Sequence, residues 1–292
     1  SVNPSLSIIY KLNYAWRFTV HASYKERYGE MTDLYDRPYQ TDYRNSVWNC
    51  GILPVYRQQL YSVYGEYKNT AREFFATVNL THNREWYNRI YEQRIENGQV
   101  QRVSLPLSNH GSGYTVKSTL SKGFYDLGLK TSFLALLNIS KAEQISGGQR
   151  LPYQYRLMRL EPKVIWTPNR HWETSYQTDI RYGGSKIGER TRLAPLWNVT
   201  QQVQLSYIFS PIEASLSVDH YHNDVNEDQS VNAVFADFSV LWKSRRWQIT
   251  ATATNLFDKR TYGYTRYASL ESYTSWVRIR PREFLVAIRY QL

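Results

Sequence analysis

Along most of this chain, apolar and polar residues alternate one by one, and that period of two decides what the sequence can fold into. The stretch Trp247 to Asp258 reads W-Q-I-T-A-T-A-T-N-L-F-D, with Trp247, Ile249, Ala251 and Ala253 set against Gln248, Thr250, Thr252 and Thr254. Alternate side chains share one face of an extended strand, whereas a helix repeats at 3.6. The same alternation runs from Trp16 to Lys25, through Phe74, Ala76, Val78 and Leu80, and from Leu127 to Ile139. It returns from Trp172 to Tyr182, at Val203, Leu205 and Tyr207, and from Phe284 to Leu292. No apolar run reaches the length of a membrane-crossing helix. Each strand thus presents one apolar face, and the sequence offers no second layer to cover it.

The connections are of two kinds that take turns. Short ones fall near 13–14, 68–71, 122–125, 168–170, 210–211 and 244–246. Long ones span about 28–54, 140–150, 183–193, 223–230 and 258–274, and Asn97-Gly98 reads as a hairpin tip. About 13 strands result, all antiparallel, with short turns on one rim and long loops on the other. That is the plan of a transmembrane β-barrel. A large soluble sandwich or propeller is the competing fold, but no blade-length repeat is present.

Aromatic placement fits the barrel. The chain holds 26 Tyr, 10 Phe and 9 Trp, and Trp16, Trp166, Trp172, Trp242 and Trp247 all border short turns. Rings at one level of every hairpin make a girdle at headgroup depth. The apolar faces then meet lipid, and the polar faces meet a wet or plugged interior. Parity sends Arg17, Lys25, Lys117, Lys130, Arg156, Glu173, Asp179 and Arg181 inward. A mean hydropathy of -0.58 agrees with two unlike faces averaging out.

The net charge of +11 favours a polyanionic partner such as lipopolysaccharide phosphate, phospholipid headgroups or an anionic solute. Lys and Arg are scattered singly, so nucleic acid is not indicated. Cys50 stands alone and cannot form an internal disulfide. The first strand, about 5–12, and the last both run toward the short-turn rim. An odd strand number cannot close a single-chain barrel with both ends on that side. Residues 1–292 are therefore expected to be the C-terminal part of a larger barrel, and Ser1-Val2-Asn3-Pro4 has no features of a signal peptide.

Two segments carry a family resemblance: T-N-L-F-D-K-R-T-Y at Thr254 to Tyr262, and R-I-R-P-R-E-F-L-V-A-I-R-Y at Arg278 to Tyr290. Together they resemble the C-terminal end of TonB-dependent outer-membrane receptors, especially the Bacteroidetes type. The resemblance implies a barrel of ~22 strands around a plug domain, a TonB-binding segment in an N-terminal part, and energised import of a siderophore, haem, glycan or peptide. It implies outer-membrane lipid, lipopolysaccharide, the TonB complex, the plug and in some members a surface lipoprotein as partners, with no cofactor. Family members commonly end on Phe; here Tyr290 precedes Gln291-Leu292 and takes the place of that aromatic.

No catalytic constellation is present: the sequence lacks G-x-S-x-G, H-E-x-x-H, a P-loop and any cysteine cluster. An enzyme is not expected. His220 and His222, beside Asp219, Asp224, Glu227 and Asp228, have metal-like spacing, although a strand top entering an acidic loop gives the same pattern. Two loops are candidate ligand surfaces. One carries Tyr35, Tyr39, Tyr43 and Trp48 among Asp33, Asp36, Arg37, Asp42 and Arg44; the other carries Tyr262, Tyr264, Arg266 and Tyr267. Aromatic planes stack on sugars, haem or aromatic siderophores, and arginines hold anionic groups. The plainer alternative is that these tyrosines pack on one another. A passive porin or an adhesin-like structural barrel is the competing function, separable from energised import by its indifference to the proton gradient.

Overall fold

The computed structural model of the chain describes residues 2–43, 45–96, 99–188, 191–226, 228–268 and 271–291. Strands β1 (Ser5–Lys11) and β2 (Trp16–Tyr28) lead to a 3-10 turn at Met31–Leu34 and two short strands, β3 (Tyr39–Gln40) and β4 (Asn45–Trp48). Next come β5 (Val55–Asn69), β6 (Phe74–Tyr87), β7 (Ile90–Glu96), β8 (Gln99–Leu105) and β9 (Asn109–Phe124). The longest strands follow: β10 (Leu129–Ser146), β11 (Gln149–Asn169), β12 (Trp172–Ile187) and β13 (Thr191–Phe209). The chain continues through β14 (Ile212–Asp224), β15 (Ser230–Lys243), β16 (Trp247–Thr254), β17 (Thr261–Ala268), β18 (Glu271–Arg278) and β19 (Glu283–Tyr290).

Thirteen of these nineteen strands, all but β3, β4, β7, β8, β17 and β18, form one antiparallel meander in which each pairs with the next. The six others lie within the long connections. Two pairings are parallel, β4 with β8 and β7 with β10, so the expectation of a wholly antiparallel arrangement is corrected there. The connections expected at 140–150 and 183–193 are largely strand. Backbone pairing does not stop where the apolar alternation stops, because a ladder needs no apolar face to satisfy its N–H and C=O groups. The β10–β11 hairpin closes on Gly147 and Gly148, at φ 58° and 75°, the left-handed pair that a tight two-residue turn requires.

Register joins the apolar faces into a continuous belt. Val20 stands opposite Val63, Val63 opposite Leu80, Leu80 opposite Val116, and Val116 opposite Leu137. Farther along, Leu205, Leu216, Phe238, Ala253 and Phe284 form a second such row. Among the described residues nothing covers it: Val63, Leu80 and Val286 are 47%, 48% and 63% exposed. An exposed apolar patch of this extent is the kind of surface that lipid or another protein covers. Below it, Trp16 packs on Tyr67 at 4.7 Å, Trp172 on Tyr207 at 4.6 Å and Trp247 on Tyr290 at 4.7 Å, all on that outward face beside short turns. Asparagine side chains shape three of these turns. The Oδ1 of Asn13 accepts from the N–H groups of Ala15 and Trp16, that of Asn69 from Arg72, and that of Asn169 from His171 and Trp172.

The opposite face is polar and carries charge. Arg17 pairs with Glu66 at 2.8 Å, and Asp179 accepts from Arg159 at 3.0 Å and Arg181 at 2.6 Å. Arg156 departs from the parity expectation. It shares its face with Leu160 and Met158 and stands opposite Ile139, so it points outward. Parity fixes a face but not a depth. Arg156 stands one outward row beyond the Leu137–Met158 pair, toward the long-loop end.

Candidate functional site

The long-loop end carries two small structures built on the wall. In the first, residues 29–54 and 88–108 make a cap. Strand β7 attaches in parallel to the outer end of β10, with Ile145 opposite Glu92 and Ser146 opposite Gln93; β8 pairs with β7, β4 with β8 and β3 with β4. Ile90, Val103 and Ile145 are 0%, 6% and 6% exposed, and Ile90 is the most buried apolar side chain among the described residues. Asn88 ties the cap to the wall: its Oδ1 accepts from the Val55 N–H at 2.8 Å and its amide donates to the Leu53 carbonyl at 2.9 Å.

Charges inside the cap are matched. Arg89 donates to Asp33 at 2.9 Å, Arg94 to Glu92 at 2.7 Å, and the Gly148 N–H to Glu92 at 3.2 Å. The Arg102 guanidinium lies 3.7 Å above the Tyr91 ring centre, a close cation–π contact. Burial alone would raise the Asp33 carboxyl. The Arg89 guanidinium and the Glu30 N–H outweigh it and hold Asp33 below the usual carboxylate range. Between the cap and the outer ends of β9–β11 lies a cleft of about 470 Å³, lined by Asp42, Tyr91, Arg102, Glu143, Gln144 and Tyr153 among others. That volume suits a small ligand, and the lining offers rings, amides and both signs of charge.

The second structure is the β17–β18 hairpin. The turn that launches it is organised by Asn255, in left-handed conformation at φ 50°. Its N–H donates to Asp237, its amide to the carbonyls of Lys259 and Arg280, and its Oδ1 accepts from the Lys259 N–H. Asp258 accepts from Arg260 and from the Arg282 N–H, and these hold its carboxyl below the usual range. The T-N-L-F-D segment is thus a turn-forming device. Tyr262 rests edge-on against Tyr221 at 5.3 Å and near Phe235 at 6.4 Å, and Asn223 donates to its hydroxyl at 2.7 Å. Tyr221 and Phe235 lie on the inward face, so the hairpin leans over the interior side of the wall.

The predicted ligand residues fall into two separate groups. Tyr35 and Tyr39 meet edge to face at 6.0 Å, and the Trp48 indole N–H donates to Asp36 at 3.1 Å, all in the cap. Tyr43 is 78% exposed on the same loop. Tyr262 and Tyr264 are neighbours at 6.0 Å in the hairpin. Arg266 and Tyr267 are placed on β17, but their side chains, like the residue Arg44, the Asn97-Gly98 tip and Glu227, lie outside the described residues. No ring contact joins the two groups among the described residues. Sequence reasoning missed Tyr91, Arg102 and Tyr153, which line the cleft, and Tyr221 and Phe235, which seat the hairpin. The inward parity of Tyr221 was readable; the position of Tyr91 depends on the parallel β7–β10 pairing and was not.

His220 and His222 do share a face, as their spacing predicts, but it is the outward one. Both ring nitrogens of His222 are engaged, Nδ1 with Asn232 Oδ1 at 2.9 Å and Nε2 with Asp224 at 3.3 Å. Among the described residues no three His, Cys, Asp or Glu side chains converge on a metal position.

No protein-family model matches the sequence, and no curated protein is similar to it. Solved structures share the fold. The FrpB iron transporter of Neisseria meningitidis, F3-3 variant, is 9% identical with a TM-score of 0.54, matching 90% of this chain and 44% of its own. Its F5-1 variant in the apoprotein form is 8% identical with a TM-score of 0.52, over 92% and 44%. The P. aeruginosa FpvA structure with a bound heterologous pyoverdine is 10% identical with a TM-score of 0.50, over 99% and 44%. The present chain spans less than half the length of each. At these identities the likeness is one of fold, a mostly antiparallel β-barrel.

Proposed function

We propose that residues 1–292 are the C-terminal part of a TonB-dependent outer-membrane receptor that imports a nutrient of the siderophore, haem, glycan or peptide class and performs no chemistry on it. The observation that carries this reading is the register-aligned apolar belt with a capped, charged interior side, in a meander that covers under half of the receptors sharing its fold. Among the described residues β1 pairs only with β2 and β19 only with β16, and their free outer edges support it further. An unsatisfied strand edge in hydrocarbon costs several kcal/mol per group, so further strands belong beside them. The plug and the TonB-binding segment lie, on this reading, in an N-terminal part of the same protein. Ligand meets the cap, with Tyr35, Tyr39, Tyr43 and Trp48, and the hairpin, with Tyr262, Tyr264, Arg266 and Tyr267. A surface lipoprotein is a compatible further partner.

Three measurements test it. The polypeptide carrying this C-terminal segment, taken from native outer membrane, should have an intact mass exceeding that of these residues by a plug and about nine strands. Uptake by that protein should stop when the proton gradient is collapsed, and persistence of uptake would indicate a porin. Replacing Trp48, Tyr264 and Tyr267 together by Ala should abolish uptake without lowering barrel yield; unimpaired uptake removes these loops from the site.

A further inference from the structure

The cleft between the cap and the outer ends of β9–β11 holds one unmatched cation, and register sets where it points. Val47 on β4 stands opposite Arg102 on β8, Arg102 opposite Gln93 on β7, and Gln93 opposite Ser146 on β10. Residues paired in this way project from one face of a sheet. Leu137 belongs to the outward belt, so by alternation Ser146 lies on the inward face of the same strand, and Arg102, Gln93 and Val47 lie there with it. Arg102 thus lines the cleft from the lumen side of the cap.

Two guanidiniums lie over the Tyr91 ring, Arg89 at 5.0 Å and Arg102 at 3.7 Å from its centre. Asp33 neutralises the first. Among the described residues Arg102 forms no ion pair and donates no hydrogen bond. Stacking holds the flat face of its guanidinium and leaves open the N–H edge, the part that grips a carboxylate through two parallel bonds. The carboxylates of the cleft have donors of their own. Glu92 accepts from Arg94 at 2.7 Å and the Gly148 N–H at 3.2 Å, Glu143 pairs with Arg150 at 3.1 Å, and Asp42 accepts from the N–H and the amide of Asn45 at 2.9 and 2.7 Å.

Arg102 is the sole cation among the described lining residues, beside those three carboxylates. That balance suits a group of one negative charge and disfavours a phosphate dianion. The rest of the lining is rich in hydroxyls and amides, with Thr41, Ser46, Gln93 and Gln144, and its aliphatic side chains are Val47, Val100 and Ala142. Hydroxyls and amides both give and take hydrogen bonds, as the hydroxyls of a sugar do. A haem or an apolar peptide side chain would find little to pack on.

We propose that this cleft binds an acidic sugar, a hexuronate unit of an oligosaccharide, with its carboxylate in the Arg102 fork and its hydroxyls on Ser46, Gln93 and Gln144. The assignment deepens the receptor reading and rests on it for the side from which ligand arrives.

The test titrates the full-length protein, purified from native membrane, with short oligomers of galacturonate, glucuronate and mannuronate, each also as its methyl ester. At least one free acid should bind roughly tenfold or more tighter than its ester, because only the acid meets the guanidinium as an ion. Arg102→Gln should bring acid and ester to one affinity. Val47→Glu sets a carboxylate opposite Arg102 in register and should erase the preference as well, which keeps the test decisive if Arg102→Gln disturbs the Tyr91 stack. Acid and ester bound alike by the native protein, no binding of any acid, or a preference retained in either variant overturns the proposal. Tighter binding of inorganic phosphate, or of a tripeptide that loses affinity when its C-terminus is amidated, overturns the sugar assignment. Failure of the receptor reading looks different: Arg102-dependent binding of the acid by a protein whose uptake ignores the proton gradient upholds the cleft and refutes energised import.

Discussion

The wall and the cap are both β-sheet, yet they are stabilised in opposite ways. Along its belt the wall shows apolar side chains to its surroundings and keeps charges such as Arg17, Glu66 and Asp179 on the other face, with Val63 and Leu80 about half exposed. The cap does what a soluble domain does, hiding Ile90 and Val103 and pairing its charges at the margin. The medium explains the difference. On the membrane reading proposed above, lipid makes burial of the wall's apolar face unnecessary, while the cap stands in water and needs a core of its own.

That contrast can be broken experimentally, and the largest effect should come from the cap's core. Ile90→Ala should cost about 2–5 kcal/mol of cap stability through the lost contacts and the cavity. Hydrogen exchange would show faster exchange in β4, β7 and β8 with β13–β15 unchanged; equal loosening of both would make cap and wall one cooperative unit. Next, Val203→Arg places a charge on the lipid face and should cost about 2–4 kcal/mol, whereas Gln204→Arg, one residue along and facing inward, should cost far less. Urea titration of the folded barrel distinguishes them, and similar costs would refute the two-faced wall.

Smaller effects sharpen the boundary. Asn255→Ala removes the side-chain hydrogen bonds to Lys259 and Arg280 that set the hairpin turn and forces Ala to adopt a positive φ, a penalty of about 1–3 kcal/mol. Limited proteolysis should then cut within 255–280 first. The smallest effect is pH-dependent. The folded-state pKa of Asp33 is depressed, so its contribution is full above its ordinary pKa near 3.8 and is lost as pH falls through the lower folded value. Acid should therefore loosen the cap before the wall, and Arg89→Met should remove that difference. Trp48 fluorescence reports it, because its indole is bonded within the cap.

Much of the wall was legible because its strands keep a period of two with few exceptions. Trp16, Trp172 and Trp247 could be placed at the rim for the same reason. The cap was not legible. Its strands are short and mixed in composition, and its pairings join residues as remote as Asn45 and Val100, so no local pattern announces them. Tyr35, Tyr39 and Trp48 were found as a tyrosine-rich loop, but the cleft beside them depends on Arg102 and Tyr91, whose neighbours are set by long-range register. Arg156 shows the remaining limit. Alternation gives the side a residue points to, and only register against the neighbouring strands gives its height.

One strand belongs to both regions. Leu129 to Lys141 of β10 lie beside β9 in the wall, and Ile145 and Ser146 of the same strand hold β7 of the cap. The cap is therefore cantilevered from a stave of the barrel. It cannot swing as a free door without tearing backbone hydrogen bonds, so strain from a seated ligand would travel down that stave toward the short-turn rim.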